Sequence, residues 1–236
     1  MADERVRTGV SGLDDVVSGG LIRGHSYLVS GAPGTGKSVL CLQFIVRGAQ
    51  DFGEPGLYIT VEESADDVRD YGRRLGLPVD ALEKAGKVVI VEQPVLKGSA
   101  VSMEFIEKLI EDNGVKRVVL DSITLFEYLH GGRELSMKRD VLKFMDLMKK
   151  RGVTLMATAE RSHADVDRLV YSMEDFLFDG LVLLLRLRCE SGFEHALTVL
   201  KMRGVSHSMG IHPVVISGGG ISLTGSRKDL KGGKVK

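Results

Sequence analysis

Tryptophan is absent from this chain, asparagine occurs once, at Asn113, and glutamine only at Gln43, Gln50 and Gln93. Sparse thermolabile amides are typical of thermophile proteins. Two cysteines, Cys41 and Cys189, lie far apart and without metal-ligand spacing. That excludes a disulfide framework and points to a reducing, cytoplasmic compartment. The six histidines form no ligand constellation, so no structural zinc is expected. Net charge is missing too, with 32 basic against 32 acidic residues. A chain built mainly to coat nucleic acid would be basic, so only weak DNA binding is expected. The longest clean apolar run near the end, Leu181–Leu185, stops at Arg186. It is far too short to span a bilayer, so no membrane partner is expected. Met1–Thr8 is charged and has no apolar h-region of a signal peptide. Proline is scarce, with 5 residues, and no Pro/Ser-rich linker, repeat or low-complexity block divides the chain.

Glycine, by contrast, is abundant, with 29 among 236 residues, and short β-like runs alternate with helical ones. This pattern predicts an α/β fold with a mostly parallel twisted sheet flanked by helices. The strand candidates are His25–Ser30, Gly56–Val61, Lys87–Val91, Arg117–Leu120 and Thr154–Ala159. Helices are expected at Lys37–Gln50, Ser64–Leu75, Val101–Asn113 and Glu134–Lys150. Ser64, with Asp66 and Asp67 behind it, reads as an N-cap with dipole-matched charge. Towards the C-terminus the pattern changes. Leu181–Arg188 and His195–Met202 flank Glu190-Ser191-Gly192 and read as an antiparallel hairpin, followed by short strands at Pro213–Ile216 and Ile221–Leu223. Residues 1–225 are expected to form one domain. Ser226–Lys236, rich in lysine, reads as a basic flexible tail.

Gly31-Ala32-Pro33-Gly34-Thr35-Gly36-Lys37-Ser38 fits the P-loop pattern, follows an apolar strand and opens a helix that continues through Val39. Glycines let the backbone N–H groups turn inward as an anion nest, and the helix N-terminus adds positive potential. Lys37 can reach the β- and γ-phosphates of ATP, and the Ser38 hydroxyl can ligate Mg²⁺. A P-loop needs a second acid near the metal. Arg117-Val118-Val119-Leu120-Asp121-Ser122 supplies one, an apolar strand that ends in Asp121 at the ligand-facing edge of the sheet. A strand-ending aspartate that merely caps the next helix is the alternative. Val88–Val91 before Glu92 ranks lower because it lacks the aspartate.

Glu62 and Glu63 end the second strand, expected to lie near the P-loop strand, and either could orient or deprotonate an attacking water. Adjacent strand residues point to opposite faces, so only one of the two is expected to act directly. A solvated acidic pair is the bland alternative. Lys201 and Arg203 lie two apart and share a strand face, on what reads as an edge hairpin. They could serve as an arginine finger in a neighbouring subunit or form a plain solvated face. Arg186 and Arg188 also share a face, with ion pairing as the default reading, and Met137, Met145 and Met148 on an amphipathic helix read as core.

With these residues in place the chain resembles the RecA superfamily, and specifically a single KaiC-type ATPase domain. The resemblance runs from Val6 to Leu223. It takes in Thr8–Asp15, Gly19-Gly20-Leu21, Gly24, the P-loop, Glu54-Pro55-Gly56, Thr60-Val61-Glu62-Glu63, Leu120-Asp121-Ser122, Thr158-Ala159-Glu160-Arg161 and Lys201-Met202-Arg203-Gly204. It implies that Glu62 and Glu63 are the catalytic glutamate pair, with Glu62 as the base. It also implies that Lys201, Met202, Arg203 and His207 approach ATP across a subunit boundary, so that the chain forms a homo-oligomer, most often a hexameric ring. Two positions depart from the pattern: Met209 stands where the family's first domain has lysine, and Gly218 where an aspartate lies near the nucleotide. The expected function is that of a slow, Mg²⁺-dependent ATP hydrolase with a regulatory role and an unidentified protein partner. A DNA-associated recombinase relative, with Arg161–Arg168 and the basic tail as its contacts, and an autophosphorylating signalling module are the alternatives. KaiC itself carries two such domains, so a circadian role is not implied.

Overall fold

Among the described residues nineteen elements follow one another, and their order already separates a parallel half from an antiparallel one. The computed structural model describes residues 4–93, 103–130, 133–161, 171–189 and 192–225. A short leader holds β1 (Arg5–Val6), α1 (Leu13–Val16) and β2 (Leu21–Ile22). Then come β3 (Ser26–Gly31), α2 (Lys37–Asp51), β4 (Gly56–Thr60), α3 (Ala65–Arg74), α4 (Val79–Lys84), β5 (Val88–Glu92) and α5 (Met103–Asp112). They are followed by β6 (Arg117–Asp121), α6 (Thr124–His130), α7 (Glu134–Lys150), β7 (Thr154–Glu160) and α8 (Met173–Leu177). The last strands are β8 (Gly180–Cys189), β9 (Gly192–Met202), β10 (Ile211–Ser217) and β11 (Gly220–Leu223).

The main sheet has nine strands in the order β11-β10-β9-β8-β3-β7-β6-β4-β5. From β5 through β8 all neighbours are parallel. From β8 to β11 they are antiparallel. This is the expected mostly parallel sheet with an antiparallel hairpin on its C-terminal side. One expectation changes. The β8–β9 hairpin is internal rather than at an edge, because β10 and β11 continue the sheet beyond it. β7 and β6 lie between β4 and the P-loop strand β3.

Strand residues on one face, including Val29, Tyr58, Val119 and Met156, pack against Leu40, Cys41 and Phe44 of α2. On the other face Leu28, Ile59, Leu120 and Leu155 pack against Ile106 of α5 and Val141, Phe144 and Met148 of α7. Each such buried side chain contributes roughly 1.5–3 kcal/mol. Met137 and Met148 are buried and Met145 packs against the same cluster, so the methionines of α7 are core, as expected. Ser64 caps α3 through a hydrogen bond from the Asp67 amide, also as expected. The part of the third predicted helix before Met103, the Glu190-Ser191 turn, residues 162–168 of the DNA-contact loop and the basic tail lie outside the described residues.

Candidate active site

The site grows from the C-terminal edge of the parallel strands. Gly34 and Gly36 have φ of 75° and 98°, a left-handed conformation that glycine adopts without strain. Together they curl the chain from β3 into α2. Gly36 caps α2 without any side-chain hydrogen bond, and no acidic residue sits in the first turn. The first N–H groups of this helix therefore have no side-chain acceptor and point their dipoles at whatever anion lies beyond. Lys37 is buried, and its Nζ donates to the carbonyls of Gly31 at 3.0 Å and Ala32 at 3.2 Å. Thr35 is fully buried, and its hydroxyl donates to the Ala32 carbonyl at 2.8 Å.

A cavity of about 220 Å³ opens over this loop. Pro33, Gly34, Lys37 and Ser38 form one wall, and Glu62, Glu63, Asp121, Ser122, Thr158 and Glu160 form the other. Asp121 continues the face of Val119, which is the face that packs on α2, so it belongs over the first turn of that helix. Both its oxygens accept hydrogen bonds, Oδ2 from the Tyr58 hydroxyl and Oδ1 from the Thr158 hydroxyl. Burial pushes the Tyr58 hydroxyl well up, and the Asp121 carboxylate adds to the shift.

Glu62 and Glu63 both line the cavity, contrary to the opposite-face expectation. β4 ends at Thr60, so the pair lies in the bend that follows, where strand alternation no longer holds. Glu62 is exposed, and its Oε1 accepts from Ser122 Oγ at 3.1 Å. Glu63 is half-buried and accepts from the Tyr71 hydroxyl at 3.2 Å. Burial raises the Glu63 carboxyl, the Tyr71 hydrogen bond opposes this, and the nearby Asp121, Asp67 and Glu62 charges raise it further.

The donor set suits Mg²⁺. Among the described residues no group of three or more His, Cys, Asp and Glu side chains could hold a metal ion. Mg²⁺ in nucleotide sites does not need such a cage, because one or two protein oxygens plus phosphates and waters fill its octahedron. Ser38 Oγ and the Asp121 carboxylate, which line one cavity, supply hard oxygen donors of that kind.

The family model described as "ATPase: KaiC" matches residues 6–228. The chain belongs to the KaiC ATPase family. It is 32% identical over 228 residues to the circadian clock oscillator protein KaiC of Synechococcus elongatus, covering 93% of this chain and 44% of that protein. The chain thus spans less than half the length of the KaiC relatives it matches. It is 31% identical over 234 residues to UPF0273 protein MJ1359 of Methanocaldococcus jannaschii, covering 92% and 95% of the two chains. The crystal structure of KaiC-like protein PH0186 from Pyrococcus horikoshii superposes with a TM-score of 0.82 at 31% identity, covering 95% of this chain and all of that one. A KaiC-type domain is a P-loop ATPase of the RecA superfamily, and the order of strands and the C-terminal hairpin described above are this family's fold.

The residues that the resemblance assigns to a subunit boundary do not line the P-loop cavity of their own chain. Lys201 Nζ donates to the carbonyls of Asp175 at 3.1 Å, Phe176 at 3.2 Å and Phe178 at 2.6 Å, around the C-terminal end of α8. Burial, followed by the charge of Arg203, lowers the Lys201 ammonium. Arg203 lies one residue beyond β9 rather than in the strand, is exposed, and donates to the Phe176 carbonyl at 2.7 Å. The Met202 side chain is buried in the α2-side core, and His207 Nδ1 lies 3.0 Å from the Ser208 carbonyl. Val39 packs partly buried against the same core.

Other residues at the site escape a reading of the sequence. Arg186 does not follow the ion-pair default but donates to the Pro33 and Gly34 carbonyls at 3.4 and 3.2 Å. Its cross-strand partner His195 lies 3.4 Å from the Thr35 carbonyl. Tyr58, Thr158 and Tyr71 read as ordinary strand or helix residues. Only the fold brings them to the acids.

Proposed function

We propose that this chain is a Mg²⁺-dependent ATP hydrolase whose residues 1–225 act as one ATPase domain in a homo-oligomeric ring, with ATP bound between neighbours. The observation that carries the reading is the single cavity shared by Lys37, Ser38, Glu62, Glu63 and Asp121. The P-loop amides and Lys37 hold the phosphates and offset their charge. Bound between Ser38, Asp121 and the phosphates, Mg²⁺ would neutralise charge on the β- and γ-oxygens. Glu62, the exposed member of the pair and held by Ser122, orients the attacking water and takes its proton. Attack on the γ-phosphorus breaks its bond to the β–γ bridging oxygen, leaving ADP and inorganic phosphate. Arg203 is free of the P-loop cavity of its own chain and is exposed, which suits delivery to a neighbour's γ-phosphate. The relatives named circadian clock oscillator protein KaiC support a regulatory role, and a hexamer is the ring we infer. The sparse amides support a thermophile source, and the zero net charge argues against a chain that coats DNA. Lys37→Ala tests the site itself: a folded variant should lose ATP binding by calorimetry, and undiminished affinity would remove the assignment.

A further inference from the structure

We propose that Tyr58, together with Thr158, is a positioning residue for Asp121, fixing its carboxylate so that it presents its remaining lone pairs to the divalent cation of the nucleotide. The inference rests on the reading of Asp121 as a metal-side acid.

Tyr58 lies in the middle of β4 and is completely buried among apolar side chains of the α2 face. Its neighbours on that face include Val119, Met156 and Phe44. Phenylalanine would fill the same space, so packing alone does not call for a hydroxyl. A buried phenol is tolerated where its O–H finds a partner. Here that partner is Asp121 Oδ2.

The register makes the pairing a property of the sheet. Thr60 of β4 stands opposite Asp121 of β6, and Tyr58 is two residues earlier on the same face, so its long ring reaches forward to the acid. On the other side, β6 and β7 pair Leu120 with Ala157, which brings Thr158 beside Asp121. Its hydroxyl takes Oδ1. Each carboxylate oxygen accepts two hydrogen bonds or ligands, so one donor on each side fixes the rotamer and leaves capacity free.

Both partners are neutral. A lysine or arginine at either place would also satisfy the oxygens, but its charge would compete with the cation. Two hydroxyls satisfy the carboxylate oxygens without bringing a positive charge beside the metal position. They act as the outer partners that orient a metal ligand.

The test uses the full chain, a non-hydrolysable ATP analogue, and either EDTA or a MgCl₂ titration. Tyr58→Phe should bind the analogue in EDTA within about twofold of wild type, the spread expected of independent sites. Its Mg²⁺ midpoint should rise roughly tenfold, the scale on which outer partners of metal ligands act. Thr158→Val, which removes the hydroxyl on the other oxygen at equal volume, should move the midpoint in the same direction and keeps the test open if Tyr58→Phe does not fold. Tyr58→Phe/Asp121→Asn should have the midpoint of Asp121→Asn alone, because the hydroxyl acts only through the carboxylate. If Asp121→Asn moves the midpoint while both hydroxyl variants leave it at the wild-type value, this inference is overturned by itself. Equal loss of affinity in EDTA and Mg²⁺ makes the tyrosine merely structural and overturns it as well. An unmoved midpoint in Asp121→Asn overturns the reading of Asp121 first, and this inference with it.

Discussion

Ser122 Oγ donates to Glu62 Oε1 at 3.1 Å, so the residue after Asp121 holds one of the two glutamates that line the P-loop cavity. The two come from the ends of neighbouring strands, β6 and β4, 60 positions apart in the chain. Glu62→Gln keeps the shape of this contact and removes the base. It should retain ATP affinity and lose turnover by roughly a hundredfold or more, the usual scale for a general base. Phosphate release under saturating ATP measures it. Turnover at the wild-type level would move the role to Glu63.

Arg186 and His195 face each other across β8 and β9, and both approach carbonyls on the outside of the P-loop. Inward-facing amides require outward-facing carbonyls, so these contacts brace the anion nest from behind. Arg186 is exposed and its bonds are long, which keeps the expected effect small. Arg186→Ala should weaken ATP binding about two- to tenfold, corresponding to roughly 0.5–1.5 kcal/mol of hydrogen bonding. Calorimetric titration would detect it. Unchanged affinity would mean that the loop holds its shape without the brace.

Arg117 is completely buried at the start of β6, with its guanidinium 4.6 Å from the Phe44 ring centroid and paired with Glu54. Gly48 makes room for it, since a Cβ there would meet Arg117 Cδ, Nε and Cζ at 2.4–2.7 Å. Burial tends to raise the Glu54 carboxyl, but Arg23 and Arg117 outweigh it and lower it. The sign follows from that. The pair contributes its full stability above the unfolded carboxyl value of about 4.3 and loses it as pH falls through the lower folded value. Glu54→Gln leaves a buried guanidinium without its counter-charge and should destabilise by about 3 kcal/mol at neutral pH. The gap in melting temperature between variant and wild type should narrow as the pH is taken below about 4. A gap independent of pH would exclude the ion pair as its source.

Much of this architecture is legible in the sequence because the signals are local. Each of the predicted parallel strands ends within a residue of its observed bounds, and α7 spans Glu134–Lys150 as its periodicity predicts. The P-loop and Asp121 are equally local, a glycine pattern and an apolar run that ends in an acid. The helices α4, α6 and α8 are short, at 6, 7 and 5 residues, and leave little periodicity to detect. α8 does carry a capping box from Ser172 to Asp175 that could have marked it. The partners of the acids are different in kind. Tyr58 looks like any apolar strand residue, and Arg186 lies more than 150 positions from the loop it braces. Only the strand order, which places β8 beside β3, brings that contact about.

We predict that hydrolysis needs a neighbour, since Arg203 does not line the P-loop cavity of its own chain. An arginine finger contributes on the order of 10³–10⁵ in rate, so Arg203→Ala should lose turnover yet keep much of its ATP affinity. The decisive measurement mixes it with Lys37→Ala, after light scattering has established that subunits exchange. In a mixed ring the intact P-loop of the first variant faces the intact Arg203 of the second, an interface that neither homogeneous ring contains. We predict that ATPase activity returns on mixing. Subunit exchange without any return of activity would contradict the shared site and leave Arg203 acting within its own chain.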